Sequence, residues 1–255
     1  MKIAATAQET PMLATTPALT AGFERVTVPD PDGQPLEAGV WYPSEVPASS
    51  QPIGLYHQTV AVGGAIAGWN LPLIVMSHGS GGSFEGHYDT ALALAEAGFV
   101  VAAVTHTGDS YRDHSGFTRV ENRPRHIKAL VDFMLASWPH HDLLDPARIG
   151  MFGFSAGGFT ALVTVGGVPD LARVAPYCAA HPDEWACRKA KEYQTEARAT
   201  PSAFVHDQRI SAAVIAAPAI GYAFTPEALA GVKASIQLWR GDNDELLPHP
   251  RHAQN

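Results

Sequence analysis

Arg148-Ile-Gly-Met-Phe-Gly-Phe-Ser155-Ala-Gly-Gly158 is the stretch whose reading decides how this chain is built. An apolar run ends in Gly153-Phe154-Ser155-Ala156-Gly157, and a second apolar run, 159–165, follows at once. The pattern reads as a buried strand, a very tight turn and then a helix, with one serine at the apex. A serine in such a turn is pushed into a strained backbone conformation with its hydroxyl exposed. Glycines two before and two after it are then required, because a Cβ at either place would collide across the turn. The bare Gly-x-Ser-x-Gly pattern can arise by chance, so its weight comes from the strand before it and the helix after it.

Working outward, residues 71–77 (Leu-Pro-Leu-Ile-Val-Met-Ser) form a continuous apolar run, as expected of a strand buried on both faces. The run leads into His78-Gly79-Ser80-Gly81-Gly82. An Ala/Leu-rich helix is expected over 84–97, stopped by Gly98, and another strand over 99–105, ending in His106-Thr-Gly-Asp109. Pro124 suits a helix start, and Ile127, Leu130, Val131, Met134, Leu135 and Trp138 keep helical spacing behind it. Strand and helix thus alternate from 71 to 165, the mark of an α/β chain whose mostly parallel sheet is covered on both faces. Catalytic groups in such sheets belong at the carboxyl ends of the strands.

Upstream, 23–28 and 36–42 predict a hairpin across the turn signals of 29–33, and the Pro/Ser/Gly-rich 44–70 reads as surface loop with one short strand at 53–57. Downstream, 170–208 breaks the alternation. It is charged, helix-prone over 184–198, and placed to cap the catalytic edge as a lid. The sheet resumes at 210–216, followed by a short helix at 226–230 and a strand at 234–240. The expected organisation is a disordered tail over 1–22 and one domain over 23–255 carrying the lid insertion.

Composition narrows the classes. A chain of 255 residues, 46% hydrophobic, can bury a large single core. A net charge of −8 leaves no basic stripe to neutralise phosphates, so no nucleic-acid partner is expected. No apolar run approaches a membrane span. Residues 1–20 lack the apolar core of a secretory signal and read as a tail or the remnant of a removed leader. Cys178 and Cys187 are either two unremarkable thiols or a local disulfide stapling a loop. The second case implies a periplasmic or secreted protein, the first a cytoplasmic one. The two cysteines with His181 lack the close paired spacing of a zinc site, and no metal or cofactor is expected.

A serine hydroxyl is a weak nucleophile that needs a base within hydrogen-bond reach, a carboxylate to orient that base, and donors aimed at the developing oxyanion. The N–H of Ala156, at the start of the helix after Ser155, is one candidate donor. The N–H of Ser80, in the glycine-rich turn, is the second. Asp242 and Asp244 both follow the strand 234–240 and both reach the catalytic edge.

Trp41-Tyr42-Pro43, Ser77-His-Gly-Ser-Gly-Gly82, Thr105-His-Thr-Gly-Asp109, Gly153-Phe-Ser-Ala-Gly-Gly158 and Gly241-Asp-Asn-Asp-Glu-Leu-Leu-Pro248 together resemble an α/β-hydrolase, more narrowly the predicted dienelactone-hydrolase and platelet-activating-factor-acetylhydrolase-like branch. The resemblance implies a serine carboxylic-ester hydrolase working through an acyl-enzyme on a small-molecule ester. It implies Ser155 as nucleophile, Asp244 as triad acid, and Ser80 and Ala156 as oxyanion donors. Dienelactone hydrolases proper carry a cysteine where this chain has Ser155. The family's histidine follows a further strand some tens of residues after the acid, whereas only eleven residues follow Asp244 here. His249 and His252 come too soon, His78 beside the glycine-rich turn reads as structural, His106 ends a strand without a base role, and His206 reads as a surface residue. The expectation is therefore that the last strand, the base and the final helix are missing, which would leave strand 234–240 exposed. A charged lid suggests short-chain or polar esters. The other readings are a non-catalytic protein that keeps the fold and a peptidase or thioesterase using the same site. Oligomeric state is not readable.

Overall fold

The turn signals of 29–33 do fold the chain back on itself. Strand β1 (Thr20–Val28) pairs antiparallel with β2 (Leu36–Ser44), setting Phe23 opposite Trp41. This computed structural model describes residues 18–31, 33–193 and 203–254. The expected tail over 1–22 lies mostly outside them, but β1 begins at Thr20 and Ala21 is fully buried, so the sheet starts earlier than the sequence suggests.

The stretch 44–70 corrects the expectation of a loop with one short strand. It forms a hairpin of β3 (Ser49–Ile53) and β4 (Tyr56–Val62), turning at Gly54, whose φ is +57°. The expected strand 53–57 is where the chain turns. What makes this segment a strand pair is tertiary: Val60 is buried, and Gln58 accepts a 2.9 Å hydrogen bond from the Trp41 indole in the core.

From there the alternation holds. Strand β5 (Leu71–Ser77) is followed by α1 (Tyr88–Glu96), β6 (Val100–Val104), α2 (Asn122–Ala136), β7 (Leu144–Phe154) and α3 (Ala156–Thr164). The insertion contributes α4 (Val174–Ala180) and α5 (Trp185–Glu192), and the part of its expected helix beyond 193 reaches outside the described residues. The chain then returns through β8 (Ile210–Ala216), α6 (Pro226–Leu229), β9 (Ser235–Trp239) and the short α7 (His249–His252).

The described strands form one sheet in the order β3-β4-β1-β2-β6-β5-β7-β8-β9. The run from β6 to β9 is parallel, so the carboxyl ends of five strands meet along one edge. On one face, Ile127, Leu130, Met134 and Trp138 of α2 and its exit pack with Ala161 of α3 onto Val40, Leu73, Val75 and Ile149. On the other, Ala91 and Ala95 of α1 and Phe84 cover Trp41, Met76 and Val101. Burial of each large aliphatic side chain contributes about 1.5–3 kcal/mol. β9 closes the sheet with all five of its residues exposed, Ile236, Leu238 and Trp239 among them.

Candidate active site

Ser155 sits between the end of β7 and the start of α3 with φ 56° and ψ −115°, a conformation an L-residue adopts only under constraint. The constraint is visible on both sides. Its N–H donates to the Ala216 carbonyl at the end of β8, 2.9 Å away, and its carbonyl accepts from the Ala219 N–H at 2.9 Å. A Cβ at Gly153 would lie 2.1 Å from the Gly157 carbonyl oxygen, and one at Gly157 would lie 1.9 Å from the Ser77 carbonyl oxygen. Both glycines are therefore obligatory, as the sequence pattern requires.

The glycine-rich turn lies directly against the serine: a Cβ on Gly79 would be 3.3 Å from the Ser155 Cβ. A buried ion pair holds this turn from beneath. Asp109 accepts the Gly81 N–H at 2.9 Å through one carboxylate oxygen and the Arg123 guanidinium at 2.7 Å through the other. Arg123 also donates to the His78 carbonyl and, at 3.1 Å, to the Thr160 hydroxyl on α3. Arg123 is 2% exposed and Asp109 3%, so the pair works in low dielectric and clasps both ends of the turn. The sequence motif contains Asp109 without giving it a role, and nothing in the sequence reading points to Arg123. The available signal was an arginine next to Pro124 at the head of an otherwise apolar helix face.

Three histidines lie in the same support. His78 Nε2 accepts the His106 N–H at 3.0 Å, His106 Nε2 sits 2.8 Å from the Ser77 hydroxyl, and its Nδ1 is 3.1 Å from Nδ1 of His126. Burial first, and the Arg123 charge second, hold His78 and His106 well below the ordinary histidine range. Burial, with the Arg125 charge, takes His126 down to about 3. All three are neutral structural groups, a role the sequence suggested only for His78.

Ser155, Ala156, Gly79, Ser80 and Asp244 line one cavity of about 540 Å³. Ala156 is the first residue of α3, and the leading N–H groups of a helix have no acceptor within it. The Asp244 Oδ1 accepts the N–H groups of Leu246 and Leu247 at 3.0 and 2.9 Å, which fixes the carboxylate at the cavity. Asp242 is exposed and faces Arg240 at 3.7 Å. Of the two aspartates that follow β9, Asp244 is on the cavity lining and Asp242 is not.

The structure does not bring a histidine to them. No histidine is among the described residues lining the cavity. His206 is exposed, with Nδ1 2.6 Å from the Val163 carbonyl. His252 is buried on α7 against Glu184 at 3.3 Å and the Tyr177 hydroxyl at 3.4 Å, and burial lowers its pKa. The side chain of His249 lies outside the described set.

The insertion forms the far wall of the cavity. Cys178 of α4 and Cys187 of α5 are joined by a disulfide, which decides between the two readings of this pair. Tyr177 stacks on Tyr222 with ring centroids 3.5 Å apart, tying α4 to the segment after β8. None of the described helices is long and apolar enough to cross a membrane.

A family model described as platelet-activating factor acetylhydrolase, isoform II, matches residues 64–131. The match spans β5, the glycine-rich turn and the Asp109–Arg123 clasp, about a quarter of the chain, and stops before Ser155. A comparison with curated proteins returned no match. Among solved structures, a ferulic acid esterase from Streptomyces cinnamoneus is 22% identical and superposes with a TM-score of 0.54, over 88% of this chain and 65% of its own. A hypothetical protein from Pseudomonas aeruginosa (18% identity, 86% and 49% of the two chains, TM-score 0.45) overlaps less well. So does a hyperthermophilic esterase from the archaeon Pyrobaculum calidifontis (20%, 78% and 46%, 0.42). The chain spans less than two thirds of the length of each. The chain has the α/β-hydrolase fold.

Proposed function

We propose that the chain is a serine hydrolase that cleaves carboxylic esters through an acyl-enzyme. The observation that carries this reading is the strained Ser155, held at the mouth of a helix and sharing one cavity with the Ser80 turn and the Asp244 carboxylate. Ser155 Oγ adds to the ester carbonyl and displaces the alcohol, and water then cleaves the acyl-serine to acid and free enzyme. The N–H groups of Ala156 and Ser80 receive the oxyanion, and Asp244 is placed to orient a histidine that takes the Ser155 proton, a residue not among the described lining residues. The family match and the esterase fold neighbours point the same way. A peptidase or thioesterase would use the same groups with a different leaving group.

One observation favours a second reading. With no histidine among the described lining residues, the fold can hold an ester without turning it over. A fluorophosphonate probe and a p-nitrophenyl ester assay separate the two. The hydrolase reading expects Ser155 to be labelled and the ester to be hydrolysed, with both lost in Ser155→Ala. Labelling that survives that substitution, or none at all in the unaltered chain, defeats it. Specific ester binding without hydrolysis would establish the second reading. The disulfide also leads us to place the protein in an oxidising compartment.

A further inference from the structure

We infer that the cavity beside Ser155 is a subsite for a bulky, uncharged apolar group, so that the ester it takes is neither short-chain nor anionic. The inference rests on the ester-hydrolase reading for where the reacting bond lies, but not for what the cavity holds.

The charge of the insertion suggested short or polar esters, but along α5 it lies away from the cavity. Along α5, Arg188, Lys191 and Glu192 are exposed and Lys189 pairs with Glu192 at 2.6 Å, while Trp185, Ala186 and Ala190 face the cavity. Val174 of α4 and Phe117 of the loop after β6 continue that wall, with the Phe117 and Trp185 rings meeting edge-on at 6.0 Å. At about 540 Å³ the space is in the range that holds a drug-sized organic group, far more than an acetyl group needs.

Charge excludes the other classes. Among the described lining residues Asp244 is the one acidic side chain, and none is lysine, arginine or histidine. A carboxylate or phosphate would enter without a counter-charge and beside an aspartate, and burying an unpaired charge is costly. The wall is also preformed. The Cys178–Cys187 disulfide joins the two helices that build it, and the Tyr177–Tyr222 stack anchors them to the sheet, so little ordering is left for the ligand to impose.

The test compares two ligands of one chain length on the full protein by calorimetry: methyl octyl ketone, an uncharged ester isostere, and nonanoate. The ketone should bind about tenfold or more tightly than the carboxylate. Ala190→Asp, which adds a charge to the wall, should weaken the ketone by at least about tenfold. Trp185→Ala, which removes its largest surface, should weaken it as well, and this variant serves if Ala190→Asp fails to fold by circular dichroism. Equal binding of the two ligands, or natively folded variants with unchanged ketone affinity, would overturn the inference. Labelling by an octylphosphonofluoridate and its methyl analogue keeps the two readings apart. Ketone selectivity with no labelling by either probe leaves the subsite standing and removes the hydrolase reading. Equal labelling by both probes without ketone preference does the reverse.

Discussion

Gly157 has no room for a side chain, since its missing Cβ would stand 1.9 Å from the backbone oxygen of Ser77 rather than from a side chain that could swing away. Gly157→Ala must therefore push the end of β5 away from α3. We expect a loss of about 3 kcal/mol in urea unfolding and loss of probe labelling at Ser155. A change within experimental error would show that the elbow has room for a side chain at this position. The Asp109–Arg123 clasp makes a different kind of prediction. Asp109→Asn strands a buried guanidinium and should cost roughly 3–5 kcal/mol. Replacing both partners with apolar residues, as in Asp109→Leu with Arg123→Met, should recover much of that stability. It should not recover the labelling rate, because the Gly81 N–H and the His78 carbonyl lose their anchors. Ser155 and its glycines were legible in the sequence because their constraint is a local collision. The clasp was not, because its members lie 14 residues apart and meet only when β6 and α2 are packed.

Among the elements, α4 and α5 depend most on a single covalent link. A disulfide closing so short a loop restrains local opening by about 2–3 kcal/mol. Tryptic cleavage after Arg188, Lys189 or Lys191 should therefore speed up by roughly 30-fold on reduction, and Cys178→Ser with Cys187→Ser should reproduce that rate without reductant. Cleavage at one unchanged rate would mean that the Tyr177–Tyr222 stack suffices to hold the insertion. The parallel strands and their helices could be read in advance from apolar runs and helical spacing. The hairpin β3–β4 could not, because its exposed residues carry little apolar pattern and its pairing is decided by the Gln58 contact to Trp41.

For the whole molecule, the buried histidines set the response to acid. His78, His106, His126 and His252 are all held below the ordinary value of 6.5. The unfolded chain thus binds more protons than the folded one below that pH, and stability is full above it and falls as the pH drops. Each group contributes at most roughly 1.4 kcal/mol per pH unit to the slope. Urea unfolding between about pH 8 and about pH 5 should show this acid loss, and His126→Gln should flatten it by about one histidine's share. A flat profile would mean that these rings titrate in the folded chain as they do in the unfolded one.

Two layers of information separate in this chain. The serine elbow and the alternating parallel sheet follow from neighbouring residues, because hard-sphere collisions and hydrophobic periodicity act within a few positions. Which aspartate lines the cavity, how the glycine-rich turn is held, that α5 turns apolar side chains to the cavity and charged ones to solvent, and that the described cavity wall includes no histidine were decided by packing. Those properties depend on groups far apart in the chain that meet only once the sheet has formed.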